Sequence, residues 1–168
     1  MAKVSLTDQD YELWWFMLQA SRAMHKARNR ELSQYNLTRA QAAILVVVQA
    51  IGYRATPADI TRFLLREPHS VSGLLKRMEK DGLVRKVKDL ERKNMVRVEL
   101  TEKGLQAYHQ STKRDSIHRI VSCLSKEDRQ KLSACLMRLR DKSLEELGIV
   151  HKPSFPFSRG KTEGGKNE

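Results

Sequence analysis

Two short helical patterns lie only two residues apart, and this spacing constrains the fold of the chain more than any other feature. The first begins at Thr56, a residue type that caps helices, continues with Pro57 at the first helical position, and ends near Leu65. Pro68 can open the second pattern, which ends where Gly82 supplies a left-handed position. Two short helices joined by so tight a turn have the spacing of a helix-turn-helix element.

The periodicity of the sequence changes after this second helix. Apolar and polar residues alternate in LVRKVK and again in MVRVELT, and the polar stretch DLERKN separates them. An alternation of period two on both sides of a polar connection indicates a two-stranded hairpin, here with a basic tip. A helix-turn-helix followed by a hairpin is a winged helix, so the sequence predicts a mainly α fold with a small β-hairpin wing.

Four further helices are predicted around the winged helix. They run from Thr7 to about Ser33, from Thr38 to Gly52, from about Glu102 to Cys123 and from about Lys126 to Leu147. The segment YELWWFML in the first of these is apolar nearly all round, so its burial requires packing partners on two sides. A subunit interface would provide the second packing partner. The last two helices could pair as a helical hairpin.

These elements suggest three regions. Residues 7–36 and 102–148 are predicted to form a helical dimerisation region, and residues 37–101 a winged helix-turn-helix DNA-binding domain. The segment 149–168 is rich in Pro, Gly, Ser and charge and has no periodicity, so we expect a disordered tail. Two copies of the chain are expected to form a homodimer.

The charge of the chain favours a polyanionic partner. The formal net charge is +12, and residues 53–101 contain twelve Lys or Arg against seven Asp or Glu. No window is apolar enough for a membrane span, no signal peptide is recognisable, and Cys123 and Cys135 form no disulfide framework, so we expect a cytoplasmic protein. No catalytic motif or paired metal-ligand spacing occurs, so neither an enzyme nor a cofactor or metal is predicted.

The second helix of the helix-turn-helix has two distinct faces. Val71, Leu74, Leu75 and Met78 form an apolar stripe, and Ser70, Ser72, Gly73, Lys76 and Arg77 lie on the other side. Small residues would let the backbone approach base edges in a major groove, while the Lys and Arg side chains reach bases or phosphates. The alternative is an ordinary solvated face. The two-helix spacing, the hairpin and the cationic wing favour DNA.

The predicted hairpin tip adds two basic side chains. Arg92 and Lys93 lie in the polar connection and can extend into a narrow minor groove, whose negative potential attracts cations. The alternative is an exposed turn that happens to carry Lys and Arg.

The order of these elements resembles the MarR family of bacterial transcriptional regulators. The resemblance covers roughly residues 8 to 147, and it is most specific in SVSGLLKRMEKDGLVRK and VRVELTEKG. It implies a dimer whose first and last two helices interleave, and two winged lobes that contact a pseudo-palindromic operator. Many members carry an Asp-Arg-Arg run in the wing, whereas this chain has Arg92, Lys93 and Asn94 at the corresponding register.

The resemblance also implies a small aromatic effector, bound between the dimerisation helices and the winged lobe. Trp14, Met17, Met24, His25, Tyr35 and Tyr53 are candidates to line such a crevice. Aromatic and Met residues at helical spacing are alternatively core or interface. The family's thiol sensing uses a cysteine in the first helix, and none occurs here; Cys123 and Cys135 lie on a predicted apolar stripe, where buried thiols are inert.

The sequence therefore predicts a sequence-specific regulator that binds double-stranded DNA, acting as a homodimeric repressor that responds to a small aromatic ligand. Two alternatives stay open. A nonspecific or architectural nucleic-acid-binding protein would use the same charge without base recognition, and a protein-interaction module would bind an acidic partner.

Overall fold

A computed structural model describes residues 8–88 and 95–149. Within these ranges the chain forms seven α-helices, a 3₁₀ turn and two strands. In chain order they are α1 (Gln9–Ser33), α2 (Arg39–Ile51), the 3₁₀ turn (Gly52–Arg54), α3 (Pro57–Leu64), α4 (Pro68–Lys80), β1 (Val84–Lys88), β2 (Val96–Leu100), α5 (Glu102–Ser111), α6 (Asp115–Val121) and α7 (Lys126–Glu146). None of the described helices combines the length and the apolar character that crossing a membrane requires.

The winged helix-turn-helix is present as predicted, and the mainly α fold with a hairpin wing is confirmed. Strands β1 and β2 pair antiparallel, from Val84 opposite Leu100 to Lys88 opposite Val96. The Val98 N–H also donates to the Ala55 carbonyl (2.8 Å), which ties the segment before α3 to the wing. The core lies between α2, α3, α4 and the hairpin, and its fully buried side chains include Ile44, Leu45, Ile60, Leu75 and Met78.

Predicted capping residues start two of the helices. The Thr38 and Thr56 hydroxyls accept hydrogen bonds from the third helical N–H of α2 and α3 (both 3.2 Å), so both predicted caps are confirmed. The predicted start of the first helix at Thr7 was wrong. Asp8 is the N-cap of α1, because its carboxylate accepts the N–H groups of Asp10 (3.0 Å) and Tyr11 (3.3 Å).

The helix predicted from Glu102 to Cys123 was also wrong, because it is two helices, α5 and α6. Arg114 lies between them with φ of +57°, a left-handed conformation that ends the helical path. The N–H groups of Asp115 (2.9 Å) and Ser116 (3.2 Å) at the start of α6 donate to the Glu31 carboxylate. A side chain from α1, distant in sequence, thus caps α6, and no local pattern could reveal it.

Helix α5 buries small residues rather than its larger apolar ones. Its buried residues are the small ones, Gly104, Ala107 and Ser111. A Cβ atom on Gly104 would come within 1.9 Å of the Leu83 carbonyl oxygen, so glycine lets α5 approach the wing closely. Close packing against the lobe, rather than apolar side-chain size, therefore sets the face of α5.

The winged lobe consists of α2 to β2, and the remaining helices, α1 and α5 to α7, form helical arms that leave much apolar surface exposed. On α1, Tyr11, Leu13, Trp14, Trp15 and Phe16 are exposed, and on α7, Leu132, Leu136, Met137 and Leu139 are exposed. Leu144 is the one buried residue of α7. The predicted pairing of the last two helices is limited to a shallow groove, to which α6 and its C-terminal end contribute Val121 and Leu124. Cys123 and Cys135 are exposed, whereas the predicted apolar stripe required them to be buried.

Candidate DNA interface and ligand cavity

The two predicted faces of α4 are separated by burial. Val71, Leu74, Leu75 and Met78 are buried. Ser72, Gly73, Lys76 and Arg77 are exposed, and Ser70 is half-buried. The residues proposed to contact DNA therefore share one outward surface, small at its N-terminal end and cationic further along.

This outward surface is unobstructed. A Cβ atom on Gly73 would meet nothing within 4 Å, so the backbone there can be approached closely. Within the described part of the chain, no acidic side chain pairs with Lys76 or Arg77. Both cations are free to contact an external anion.

Contacts at its C-terminal end fix the direction of α4. The Leu83 N–H donates to the Met78 carbonyl (2.8 Å), and Lys86 Nζ lies 3.1 Å from Glu79 Oε2. Lys103 Nζ donates to the Asp81 carbonyl (2.7 Å). Helix α4 is therefore held against both the wing and α5, so movement of either would redirect its exposed face.

The tip of the wing, including Arg92 and Lys93, lies outside the described residues, as does the predicted tail from residue 150. The strands that support the tip are joined by the Arg85–Glu99 ion pair (Nη2 to Oε2, 2.8 Å). Tyr53 lies on this lobe with its side chain 64% exposed, and the guanidinium carbons of Arg54 and Arg97 lie 5.2 and 6.0 Å from its ring centroid.

A cavity of about 740 Å³ lies between the helical arms and the winged lobe. It is lined by Met24, His25, Arg28, Leu32, Arg39, Ala42, Ala43, Val46, Val47, Phe63, Leu64, Leu65, Ser111, Arg114, Ile117 and Arg140. Two of the six predicted effector residues, Met24 and His25, are thus brought together in one concave site.

The other four predicted effector residues lie elsewhere. Tyr35 lines a second concavity, of about 580 Å³, beside Arg30 and Arg119, and Lys113 Nζ lies 5.5 Å from its ring centroid. Trp14 is 59% exposed near the start of α1, and Met17 is half-buried one turn further along. Tyr53 lies on the winged lobe, as described above. None of these four lines the larger cavity.

The cationic part of the larger cavity was not predicted from the sequence. Arg28, Arg39, Arg114 and Arg140 line it together with His25, and no Asp or Glu occurs among its described lining residues. One signal was available for Arg28, which is three residues after His25 and so shares its helix face. The other three come from separate elements, and only the fold brings them together.

A buried polar cluster joins this cavity to the start of α6. Arg28 Nη1 lies 2.7 Å from Glu31 Oε2, and Arg28 Nη2 donates to the Ser111 carbonyl. Burial of Glu31 opposes its ionisation, but hydrogen bonds from Ser116 and Arg28, together with the Arg28 charge, outweigh that effect and lower its pKa to about 2. The carboxylate is therefore ionised while it caps α6.

His25 has the opposite electrostatic setting. Burial, and then the positive charge of Arg39, lower the pKa of its imidazole below the ordinary value. The imidazole therefore binds a proton less readily than an unperturbed histidine does.

This chain is similar in sequence and in fold to known proteins. A family model described as the MarR family matches residues 35–93, which span α2 to the wing. The organohalide-sensing transcriptional regulator RdhR-CbdbA1625, in its 2,4-dichlorophenol-bound form, is 32% identical, with 92% of each chain covered and a TM-score of 0.80. No curated protein matched the chain.

More distant structures share the fold. A mutant MarR from E. coli complexed with operator DNA is 20% identical, covering 80% of this chain and 97% of that one, with a TM-score of 0.73. AbsC, a MarR family transcriptional regulator from Streptomyces coelicolor, is 24% identical, covering 82% and 95%, with a TM-score of 0.75.

The exposed α4 surface, the hairpin and the flanking helices define a winged helix-turn-helix protein with helical arms. With the matches above, the chain belongs to the MarR family of transcriptional regulators.

Proposed function

We propose that this protein is a homodimeric transcriptional regulator that binds double-stranded DNA in a sequence-specific way and represses the promoters it covers. The observation that carries the proposal is the outward surface of α4, with Ser72, Gly73, Lys76 and Arg77 exposed and unobstructed. Thirteen residues give α4 a length of about 20 Å, enough to lie across a major groove. A promoter partner implies a cytoplasmic protein.

The contacts are assigned by chemistry. Arg77 is proposed to bond a base edge, because a guanidinium can bond guanine bidentately, and Lys76 a phosphate. Ser70, Ser72 and Gly73 are proposed to allow close backbone approach. Arg92 and Lys93 are proposed to reach the adjacent minor groove.

Dimerisation is proposed from the apolar surface of the arms. Trp14 is 59% exposed, and Leu136 on α7 is 47% exposed. Contiguous exposed apolar surface of this kind marks an interaction site. A twofold dimer built on residues 7–36 and 102–148 would cover this surface and would present two α4 helices to successive half-sites.

A small aromatic effector is proposed to bind the larger cavity. Its wall combines apolar side chains such as Phe63 and Val47 with basic ones, which suits an aromatic body that carries an acidic group. RdhR-CbdbA1625, which is similar over most of its length, binds 2,4-dichlorophenol. We propose that occupancy of the cavity changes the spacing of the two lobes and releases DNA.

DNA binding is tested first with the promoter region flanking the protein's own gene, in competition with random DNA at fixed, moderate salt. Sequence-specific binding predicts an affinity at least about a thousandfold above that for random DNA. Arg77→Ala should cost about 1 to 3 kcal/mol at one operator position and relax preference there. Arg22→Ala, at an exposed position on α1, is the folded control and should retain the preference.

The alternatives predict different results in the same assay. A nonspecific or architectural protein would bind random and flanking DNA equally, and Arg77→Ala would weaken both by the same factor. A protein-interaction module would bind no duplex at all.

For the wing, Lys93→Ala should flatten the dependence of affinity on salt, and an unchanged slope would remove the wing from the contact set.

A further inference from the structure

Helix α5 begins directly beside the C-terminal end of α4, the helix proposed to contact DNA. Thr101, the N-cap of α5, donates from its hydroxyl to the Gly82 carbonyl, and Lys103 Nζ donates to the Asp81 carbonyl (2.7 Å). These two carbonyls belong to the residues that follow α4 in the chain. A movement of α5 is therefore passed on to the exposed face of α4.

The other end of α5 is held by α1. The last residue of α5, Ser111, is 1% exposed, and its carbonyl accepts a hydrogen bond from Arg28 Nη2. Arg28 Nη1 also lies 2.7 Å from Glu31 Oε2, so one guanidinium contacts both the end of α5 and the Glu31 carboxylate. Water screens this pair little, because the two side chains are only 12% and 8% exposed.

Glu31 continues the connection from α1 to α6. Its carboxylate accepts hydrogen bonds from the N–H groups of Asp115 (2.9 Å) and Ser116 (3.2 Å) and from the Ser116 hydroxyl. Arg114, between α5 and α6, has a left-handed φ of +57°, which costs free energy unless surrounding contacts impose it. Arg28 on one side of Arg114 and Glu31 on the other therefore fix the angle between the two helices.

A small rotation of α5 would matter for DNA recognition. The ten residues of α5 make it about 15 Å long. A rotation of about 10° at its Ser111 end would move its other end, and the end of α4 with it, by about 3 Å. Successive nucleotides of one strand are about 3.4 Å apart along the duplex axis, so this movement is comparable to one base-pair step.

We propose that Glu31 is a positioning residue for DNA binding. Through Arg28 and the start of α6 it fixes the direction of α5, and with it the separation of the two α4 helices in the dimer. Glu31 is not proposed to contact DNA, because its carboxylate is buried among protein groups. This inference rests on the proposed function, a dimer bound to two half-sites, and it adds a residue that sets which half-site spacing is accepted.

The test compares the binding of the full chain to three kinds of duplex: the operator it selects, the same operator with two base pairs inserted between the half-sites, and a duplex with one half-site. The single half-site measures the contacts of one lobe, and the two operators measure the separation of the lobes. The wild type should prefer its own spacing about tenfold or more, because two inserted base pairs rotate one half-site by about 70° around the duplex.

Glu31→Gln keeps the size of the side chain and removes its charge. It should bind the single half-site within about twofold of the wild type, bind the operator about tenfold more weakly, and lose most of the preference for one spacing. Glu127→Gln is the matched control, because it makes the same chemical change in an exposed ion pair of α7 (Glu127 Oε1 to Lys131 Nζ, 2.8 Å). It should keep the spacing preference, and any change in affinity shared by the two variants measures the effect of net charge.

Arg28→Lys tests the same connection without a change in net charge. A lysine ammonium is a compact donor and cannot bridge the Glu31 carboxylate and the Ser111 carbonyl as the planar guanidinium does. This variant should also lose the spacing preference while it retains half-site affinity. It provides the test if Glu31→Gln does not fold, and circular dichroism at the assay temperature shows which variants are folded.

The results distinguish positioning from other roles. Loss of the spacing preference with half-site affinity retained supports the proposal. A wild-type spacing preference in a folded Glu31→Gln or Arg28→Lys variant would mean that these residues only stabilise the fold, and it would overturn the inference. An equal loss of affinity for the half-site and the operator would place the defect within one lobe and would also overturn it. A wild type without any preference for two half-sites would instead overturn the proposed function, and the inference with it.

Discussion

The winged lobe and the helical arms solve the problem of burial differently. The lobe closes its own core, with Ile44, Leu45, Ile60, Leu75 and Met78 all fully buried within one chain. The arms carry residues as apolar, including Trp14, Phe16 and Leu136, and leave them exposed. Equal hydrophobicity in sequence therefore leads to opposite environments in a single chain.

The comparison indicates what each region is for. A closed core makes a rigid support for the exposed face of α4, which must keep its shape to match a groove. An exposed apolar surface is a cost to a lone chain and a source of binding energy for a pair. The cavity lies where the two regions meet, so a ligand there can act on their relative position.

The largest expected effect tests the closed core. Ile44→Ala removes a fully buried side chain from α2 and should lower the free energy of unfolding by about 2 to 5 kcal/mol, because it leaves a cavity in packed surroundings. Urea denaturation should show the same loss at every protein concentration. Leu136→Ala on α7 is the matched control, and its smaller effect should diminish on dilution. A concentration-dependent loss in Ile44→Ala would contradict the distinction between the regions.

The Arg28–Glu31 cluster connects α1 to α6, and its removal should have the next largest effect. Glu31→Gln should cost about 3 kcal/mol at neutral pH, because it breaks a buried ion pair and weakens the cap of α6. Glu99→Gln, in the more exposed wing pair, should cost less than about 1 kcal/mol.

The same substitution has a pH signature. The folded pKa of Glu31, about 2, lies below its ordinary value of 4.5, so its contribution to stability is complete above pH 4.5 and is lost as the pH falls toward 2. The difference between the wild type and Glu31→Gln should therefore shrink over that range in denaturation experiments. A difference that stays constant down to low pH would mean that the carboxylate is not held in its ionised form.

The exposed arms are tested by dimer dissociation. Trp14→Ala should raise the dissociation constant at least about thirtyfold, because large aromatic side chains dominate interface energetics. Sedimentation over a range of concentrations measures this, and Arg22→Ala on the same helix should have little effect. A wild-type chain that stays monomeric at micromolar concentration would contradict the proposed interface.

Two helix caps provide the smallest expected effects. Thr56→Ala should cost about 1 kcal/mol of unfolding free energy at any concentration, because Thr56 caps α3 in the closed lobe. Ser125→Ala removes the cap of α7 (Ser125 Oγ to Asp128 N, 3.1 Å) and should appear mainly as weaker dimerisation. Thermal melts at two protein concentrations would distinguish the two variants. If the melting temperatures of both variants depended on concentration in the same way, the proposed difference between the lobe and the arms would be contradicted.

Local signals in the sequence were sufficient to predict much of the lobe. The Thr38 capping box, the Thr56 cap, Pro57 at the first helical position and the switch to period two after Gly82 each act over a few residues, so their physical effect is visible in a short stretch. The apolar stripe of α4 was predicted for the same reason.

The errors came from contacts between distant residues. Helix α6 is capped by Glu31, and α5 turns its small residues inward because Gly104 approaches the Leu83 carbonyl. Arg39 and Arg140 meet at the cavity from helices about a hundred positions apart in the sequence. Periodicity within a segment carries no information about such pairings.

The central claim is that two chains together present two α4 surfaces to one duplex. The most direct test selects bound sequences from a pool of random duplexes and then measures the mass of the selected protein–DNA complex. The account predicts a pseudo-palindromic motif with half-sites about 10 base pairs apart, bound by two chains or a multiple of two, and loss of one conserved position in Arg77→Ala. Recovery of no common motif, or of a motif bound by a single chain, would contradict it.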